Sequence, residues 1–168
     1  MSHSMSFSYQ ASKQNDDLVF TLGEVIDESF DIPLNELAST SSLHVEMGRV
    51  SSLNSEGTRR LTKWLWDGHN LYPKLAISLS KVPPVVAKQL MAVRSFVPEK
   101  VTISSLLVPF YCEACDLEDR TTLVNADDVD DNVDLKKYSP EPPICKLCNK
   151  PMELDVIPEM YFALFRVP

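Results

Sequence analysis

Four cysteines are the residues of this chain best suited to chemistry. They come as two pairs, Cys112-Glu113-Ala114-Cys115 and Cys145-Lys146-Leu147-Cys148, with 29 residues between the pairs. A two-residue spacer lets both thiolates of a pair turn toward one point, so two such knuckles supply four sulfurs in a tetrahedron, the arrangement Zn²⁺ takes when it is purely structural. All four cysteines are therefore expected to ligate one structural Zn²⁺. Disulfides are the competing reading. Residues 1–10 are polar, with neither a basic n-region nor an apolar h-region, so a cytoplasmic chain with reduced thiols is expected. A thioredoxin-like pair would sit at a helix start behind a strand; Cys112 follows an apolar run over residues 106–111, but no helical pattern opens after it. Metal binding contributes on the order of 10 kcal/mol in small zinc modules, so the segment is expected to need its ion to fold.

Other reactive residue types are poorly placed for catalysis. His44 alternates to the polar side of a strand, His69 follows a turn and His3 lies in a polar leader. None has a serine, cysteine or carboxylate at a catalytic spacing, and as zinc ligands the histidines are redundant beside four thiolates. The four glycines, at 23, 48, 57 and 68, make neither a GxG nor a GxxxxGK phosphate loop. No catalytic residue is assigned, and the chain is expected not to be an enzyme.

The chain has 168 residues, 44% of them hydrophobic, with 16 Lys+Arg against 24 Asp+Glu for a formal charge of −8. That length supports one core and a small appendage, and no stretch approaches the roughly 20 apolar residues of a membrane-spanning helix. Nucleic-acid binding rests on cations neutralising phosphates, so the acidic balance argues against such a partner. The segment between the cysteine pairs is more acidic still: Asp116, Glu118, Asp119, Asp127, Asp128, Asp130, Asp131, Asp134 and Glu141 face only Arg120, Lys136 and Lys137. Residues 127–134 superficially resemble a calcium loop, yet lack its DxDxDG order and closing glutamate. They are expected to form a solvated, mobile acidic hairpin tip.

Period-two patterning identifies the elements that must position the cysteines. Leu43, Val45 and Met47 alternate with His44 and Glu46; Leu75, Ile77 and Leu79 alternate with Ala76 and Ser78; Val101 and Ile103 alternate with Thr102 and Ser104. A further strand is read at residues 18–22. Such alternation means a sheet with one apolar face for helices to cover. Asn54 can cap a helix through Leu61, Trp64 and Leu65 that ends at the Asp67-Gly68 turn. Trp64 continues its apolar stripe, and Trp66 is left for a rim or an interface. Pro83-Pro84 opens a second helix, with Val86, Leu90 and Val93 on one face. A short helix is read before Leu37. The apolar segment Met160-Tyr161-Phe162-Ala163-Leu164-Phe165 is expected to pack back on the main domain or on a second copy.

The stretch over residues 45–57, a strand, a short turn and the helix entry Asn54-Ser55-Glu56-Gly57, resembles the STAS domain of bacterial anti-sigma factor antagonists. Gly23-Glu24-Val25-Ile26-Asp27 looks like that module's turn after its second strand, Val82-Pro83-Pro84-Val85-Val86 is similar to its Ser-Pro-x-Val helix start, and residues 101–108 look like its last strand. The resemblance covers roughly residues 8–110, and the cysteine-bearing ribbon lies outside it. It implies an α/β fold: one curved mixed β-sheet with helices packed on one face, here with a small zinc-ribbon β insert. It also implies a non-enzymatic signalling module acting through protein partners, an anti-sigma-like kinase among them. In regulated members the serine after the aspartate at the helix start is phosphorylated. That position is Ser55, with Asn54 in place of the aspartate and Glu56 in place of a second serine. A phosphate there would meet free N–H groups and the positive end of the helix dipole.

The expected organisation is a STAS-like domain over 1–110 with a disordered leader at 1–8, a zinc ribbon over 111–155, and a C-terminal segment over 156–168 packing back on the main domain. Asn54, Glu56, Arg59, Arg60 and Lys63 are the candidate partner-binding residues, because Arg59, Arg60 and Lys63 make a positive spot about one turn from Ser55. A homodimer across strand edges is compatible with the sequence. The alternative function is a zinc-ribbon nucleic-acid-binding factor, supported by the four-cysteine pattern alone.

Overall fold

The computed structural model describes residues 6–93, 95–129 and 131–166. Elements in chain order are β1 (Tyr9–Gln14), β2 (Asp17–Leu22), β3 (Val25–Ile26), β4 (Ser42–Glu46), β5 (Ser52–Leu53), α1 (Ser55–Leu71), β6 (Ala76–Ser80), α2 (Pro84–Ala92), β7 (Val101–Ile103), β8 (Ser105–Cys112), β9 (Leu117–Asn125), β10 (Glu153–Leu154) and α3 (Pro158–Phe162). Short 3₁₀ turns cover Leu34–Leu37, Ala126–Asp128 and Ala163–Arg166.

The body is a mixed five-stranded sheet in the order β1-β2-β4-β6-β7, with β1 antiparallel to β2 and the rest parallel. Because strand order follows chain order, right-handed crossovers put every connection on one face. The alternating residues mark that face: Leu18, Phe20, Leu43, Val45, Ile77, Leu79, Val101 and Ile103 are buried, while His44 and Thr102 on the other side are exposed. The Trp64 ring of α1 packs on Phe20 with centroids 6.1 Å apart, and Leu90 of α2 meets Ile103 at a shared groove. The fold is thus the expected mixed α/β architecture with helices on one sheet face.

The structure departs from the sequence reading in one helix end, in additional strands and in the division of the last strand. Helix α1 runs through Gly68 to Leu71 instead of ending there. Gly68 is a packing residue, where a Cβ would stand 3.2 Å from Leu37 Cδ1. No residues were assigned to a strand ahead of 18–22, where β1 lies, and the two-stranded β3–β5 pair falls where a turn and the helix entry were read. The last strand, read as one element over 101–108, is two. Leu79 O accepts from Ser104 N at 2.8 Å, Ser105 Oγ from Lys81 N at 2.8 Å, and Val82 bridges Leu106 in parallel. The chain therefore leaves the main sheet at Ser104 and starts β8 in a second sheet, ordered β10-β8-β9.

Of the expected leader, residues 1–5, including His3, lie outside the described residues. Residues 7 and 8 already belong to the fold: Phe7 packs on Phe30 with centroids 4.6 Å apart, and Ser8 O accepts from Gly23 N at 2.7 Å. The C-terminal segment returns to the body. Tyr161, Phe162 and Leu164 are buried, and Tyr161 Oη donates to Leu107 O at 2.8 Å. A single apolar cluster joins Phe20 and Val45 of the body to Leu106, Phe110, Val124 and Met152 of the second sheet, so the two share a core.

Candidate metal centre

Each cysteine pair is presented by a chain reversal. Cys112 ends β8, Leu117 opens β9 directly opposite it, and the intervening Cys112-Glu113-Ala114-Cys115 is the hairpin tip. The second pair lies in a loop closed by an antiparallel bridge between Ile144 and Pro151, with Cys145 N donating to Lys150 O at 2.8 Å. Both knuckles turn in the same way. Asp116 (φ 51°) and Asn149 (φ 57°), each directly after the second cysteine of its pair, take the left-handed conformation. Asp and Asn tolerate that region better than other non-glycine residues, because a short polar side chain can hydrogen-bond locally.

The four sulfurs converge. All lie within 4.8 Å of one another, with Cys112 Sγ 3.5 Å from Cys148 Sγ and Cys145 Sγ 3.9 Å from Cys115 Sγ. A tetrahedron of thiolates about 2.3 Å from a central Zn²⁺ has edges of about 3.8 Å, so this spacing suits a metal and is far beyond a sulfur–sulfur bond. Cys112 and Cys145 are buried, Cys115 and Cys148 half-buried. Backbone N–H groups of Cys148 and Leu147 turned toward Cys145 hold its thiol down to about 7. The neighbouring Cys148 thiol and burial push Cys115 up to about 12, and burial raises Cys112. Thiols crowded in this way release their protons together when a divalent cation takes their place in the array. The four cysteines can hold a metal ion.

The acidic stretch is not a hairpin tip, since the first knuckle occupies that place. Residues 126–134 form the connection from β9 toward the second knuckle. Asn125 N and Nδ2 both donate to Asp128 Oδ2 at 3.0 Å, and Val129 and Leu135 are buried. Asp127, Asp128, Asp131 and Asp134 are exposed, and Asp130 lies outside the described residues.

Away from the cysteines in sequence, Asn54 caps α1 with its Oδ1 accepting from Gly57 N at 2.7 Å and its Nδ2 donating to Glu28 Oε2 at 3.0 Å. Ser55, the first helical residue, is exposed. Gly57 is buried against β3, where a Cβ would collide with the Ile26 carbonyl and stand 2.8 Å from Asp27 N. The expected positive spot is largely paired internally. Glu56 accepts from Arg59 Nε at 2.9 Å, Arg59 Nη2 at 2.5 Å and Arg60 Nε at 2.9 Å, which draws its carboxyl down to about 2; Lys63 pairs with Asp67. Beside this edge, sequence reasoning missed a cleft of about 430 Å³ between α1 and residues 30–34, lined by Arg59, Arg60, Lys63 and Trp64. No short motif marks it, because its two walls are remote in sequence.

The structure thus gathers Cys112, Cys115, Cys145 and Cys148 at one point and keeps Asn54, Ser55, Glu56, Arg59, Arg60 and Lys63 along one helix start. No helix among the described residues is long and apolar enough to cross a membrane. No family model matches the sequence, and no curated protein does.

Proposed function

We propose that this protein is a non-enzymatic regulatory module of the STAS-like kind, binding protein partners at the α1 edge and stabilised by a structural Zn²⁺ on Cys112, Cys115, Cys145 and Cys148. The observation carrying the proposal is the convergence of four thiols, two of them buried, from two matching knuckles. Four thiolates complete a tetrahedron and leave no position for a reacting water, which distinguishes a structural site from a catalytic one. The parallel order of β2, β4, β6 and β7 and an exposed Ser55 at the start of a capped 17-residue helix support the STAS-like part. Phosphorylation of Ser55 would place a charge of about −1.5 to −2 one turn from Arg59 and compete with Glu56 for it.

This reading is preferred to a nucleic-acid-binding ribbon because the exposed side chains between the knuckles include Asp127, Asp128, Asp131 and Asp134, which repel phosphates. Intact-protein mass spectrometry on material from the source cells tests it. One zinc per chain, and a phosphate lost in Ser55→Ala, are expected. A metal-free chain would contradict the zinc site, and a chain never phosphorylated under any growth condition would contradict the switch.

A further inference from the structure

The cleft beside α1 joins features that together select a ligand. One wall carries Asp31 and, beyond the buried Ile32, the accessible apolar side chains of Pro33 and Leu34; the other presents Arg59, Arg60 and Lys63 beside Trp64. Trp64 is 6% exposed, and its indole N–H is buried with no hydrogen-bond partner. That N–H is sealed from solvent and takes no part in ligand contact; Trp64 matters to the cleft as a ring beside the arginines. Glu56 uses Nε of both arginines and one Nη2 of Arg59, while Arg59 Nη1 and both Nη groups of Arg60 have no acceptor among the described residues. A carboxylate already sits on one side of this guanidinium pair, held by short charge-assisted bonds, so the pair has the geometry to take another.

We infer that this cleft binds a partner segment carrying a single carboxylate side chain flanked by apolar residues, the carboxylate on Arg59 and Arg60 and the apolar flanks on Pro33 and Leu34. This deepens, and rests on, the reading of the α1 edge as a docking surface. Three acids border the site, Asp31, Asp67 and Glu56. They offset the three cations and disfavour a dianionic phosphate, whereas a monoanion bound bidentately gains more from geometry than from net charge. Glu56 is then an internal competitor, and removing its charge frees the arginine pair.

The chain has two tryptophans, and they supply a reporter and its control. Trp64 lines the cleft, while Trp66 Nε1 donates to Ser95 O at 2.9 Å. The full chain, ¹⁵N-labelled, is titrated with a blocked Leu-Glu-Leu peptide while the two indole N–H signals are followed. A saturable shift of the Trp64 signal is expected, with Trp66 unmoved and no response to a blocked Leu-Gln-Leu peptide. Binding should weaken about tenfold in the double variant Arg59→Ala/Arg60→Ala and tighten several-fold in Glu56→Gln. Both variants sit on the exposed helix surface, and the unchanged Trp66 signal checks that α1 is intact. An unmoved Trp64 signal, an equal response to the glutamine peptide, or a response to inorganic phosphate alone would overturn the inference. Capture of a purified cellular partner that is abolished by Arg59→Glu/Arg60→Glu while the peptide is ignored would retain the docking surface and discard this ligand class.

Discussion

At Gly57 two rules of helix chemistry oppose one another. Replacing a helical glycine by alanine ordinarily stabilises by up to about 1 kcal/mol, yet here the added methyl would collide with the Ile26 carbonyl. Overpacking against backbone wins, and Gly57→Ala is expected to lose about 2–3 kcal/mol by urea unfolding. The cap three residues earlier is worth less. Asn54→Ala should cost about 1 kcal/mol, and Asn54→Asp, which keeps the acceptor for Gly57 N but replaces the donor to Glu28 with a second carboxylate, should cost about as much at neutral pH. Glu56 adds a pH signature. Hydrogen bonds from Arg59 and Arg60 depress its carboxyl in the folded chain to about 2 from an ordinary 4.5. Its contribution is therefore fully present above pH 4.5 and lost as pH falls through about 2. The difference in urea midpoint between the native chain and Glu56→Gln should shrink across that window and vanish below it. The cap was legible because it follows from residue type at a helix start. The pairing of Glu56 with Arg59 and Arg60 was equally legible at i,i+3 and i,i+4, but the sequence reading took these cations as a free positive spot.

Among the elements, the strands with apolar alternation were readable and the polar ones were not. Strand β1 (Tyr9–Gln14) is an edge strand in which, among the described side chains, Tyr9 alone packs on the core, so no period-two signal marks it. Strands β3 and β5 are two residues each and below any periodicity. The break between β7 and β8 did leave a trace: buried positions are odd at Val101, Ile103 and Ser105 and even from Leu106 through Val108 and Phe110. That phase change is the point where the chain passes from one sheet to the other. Helix α3 illustrates the opposite case, a segment too apolar to be a tail. Phe162 is fully buried and meets Tyr138 edge-on at 4.7 Å. Phe162→Ala is expected to cost about 3–5 kcal/mol, read as a lowered melting temperature, and Tyr161→Phe about 1 kcal/mol through the lost bond to Leu107 O.

On the scale of the whole molecule, the ribbon and the body share one apolar cluster, which runs from Phe20 and Val45 to Leu106, Val108, Phe110 and Met152. Strand β8 is the seam, the central strand between β10 and β9, and it meets Val82 at its start. The spacing of the cysteines was enough to foresee the convergence of four sulfurs that can hold a metal, because two CxxC knuckles constrain them whatever lies between. The continuity of the core was not foreseeable, since it depends on how β8 is laid against the body. With the proposed zinc bound, stability would be graded: the strands β2, β4 and β6 rest on hydrophobic packing, while the two knuckles would rest on the ion. Hydrogen exchange followed by mass spectrometry, on full-length chain of measured zinc content before and after exhaustive chelation, tests the central claim most directly. One zinc per chain is expected. Its removal should expose the amides of Cys115, Cys145 and Asn149, which are bonded within the knuckles, and leave those of β4 and β6 protected. A chain isolated without metal whose knuckle amides are protected, or one whose exchange is unchanged by removal of its zinc, would contradict the account.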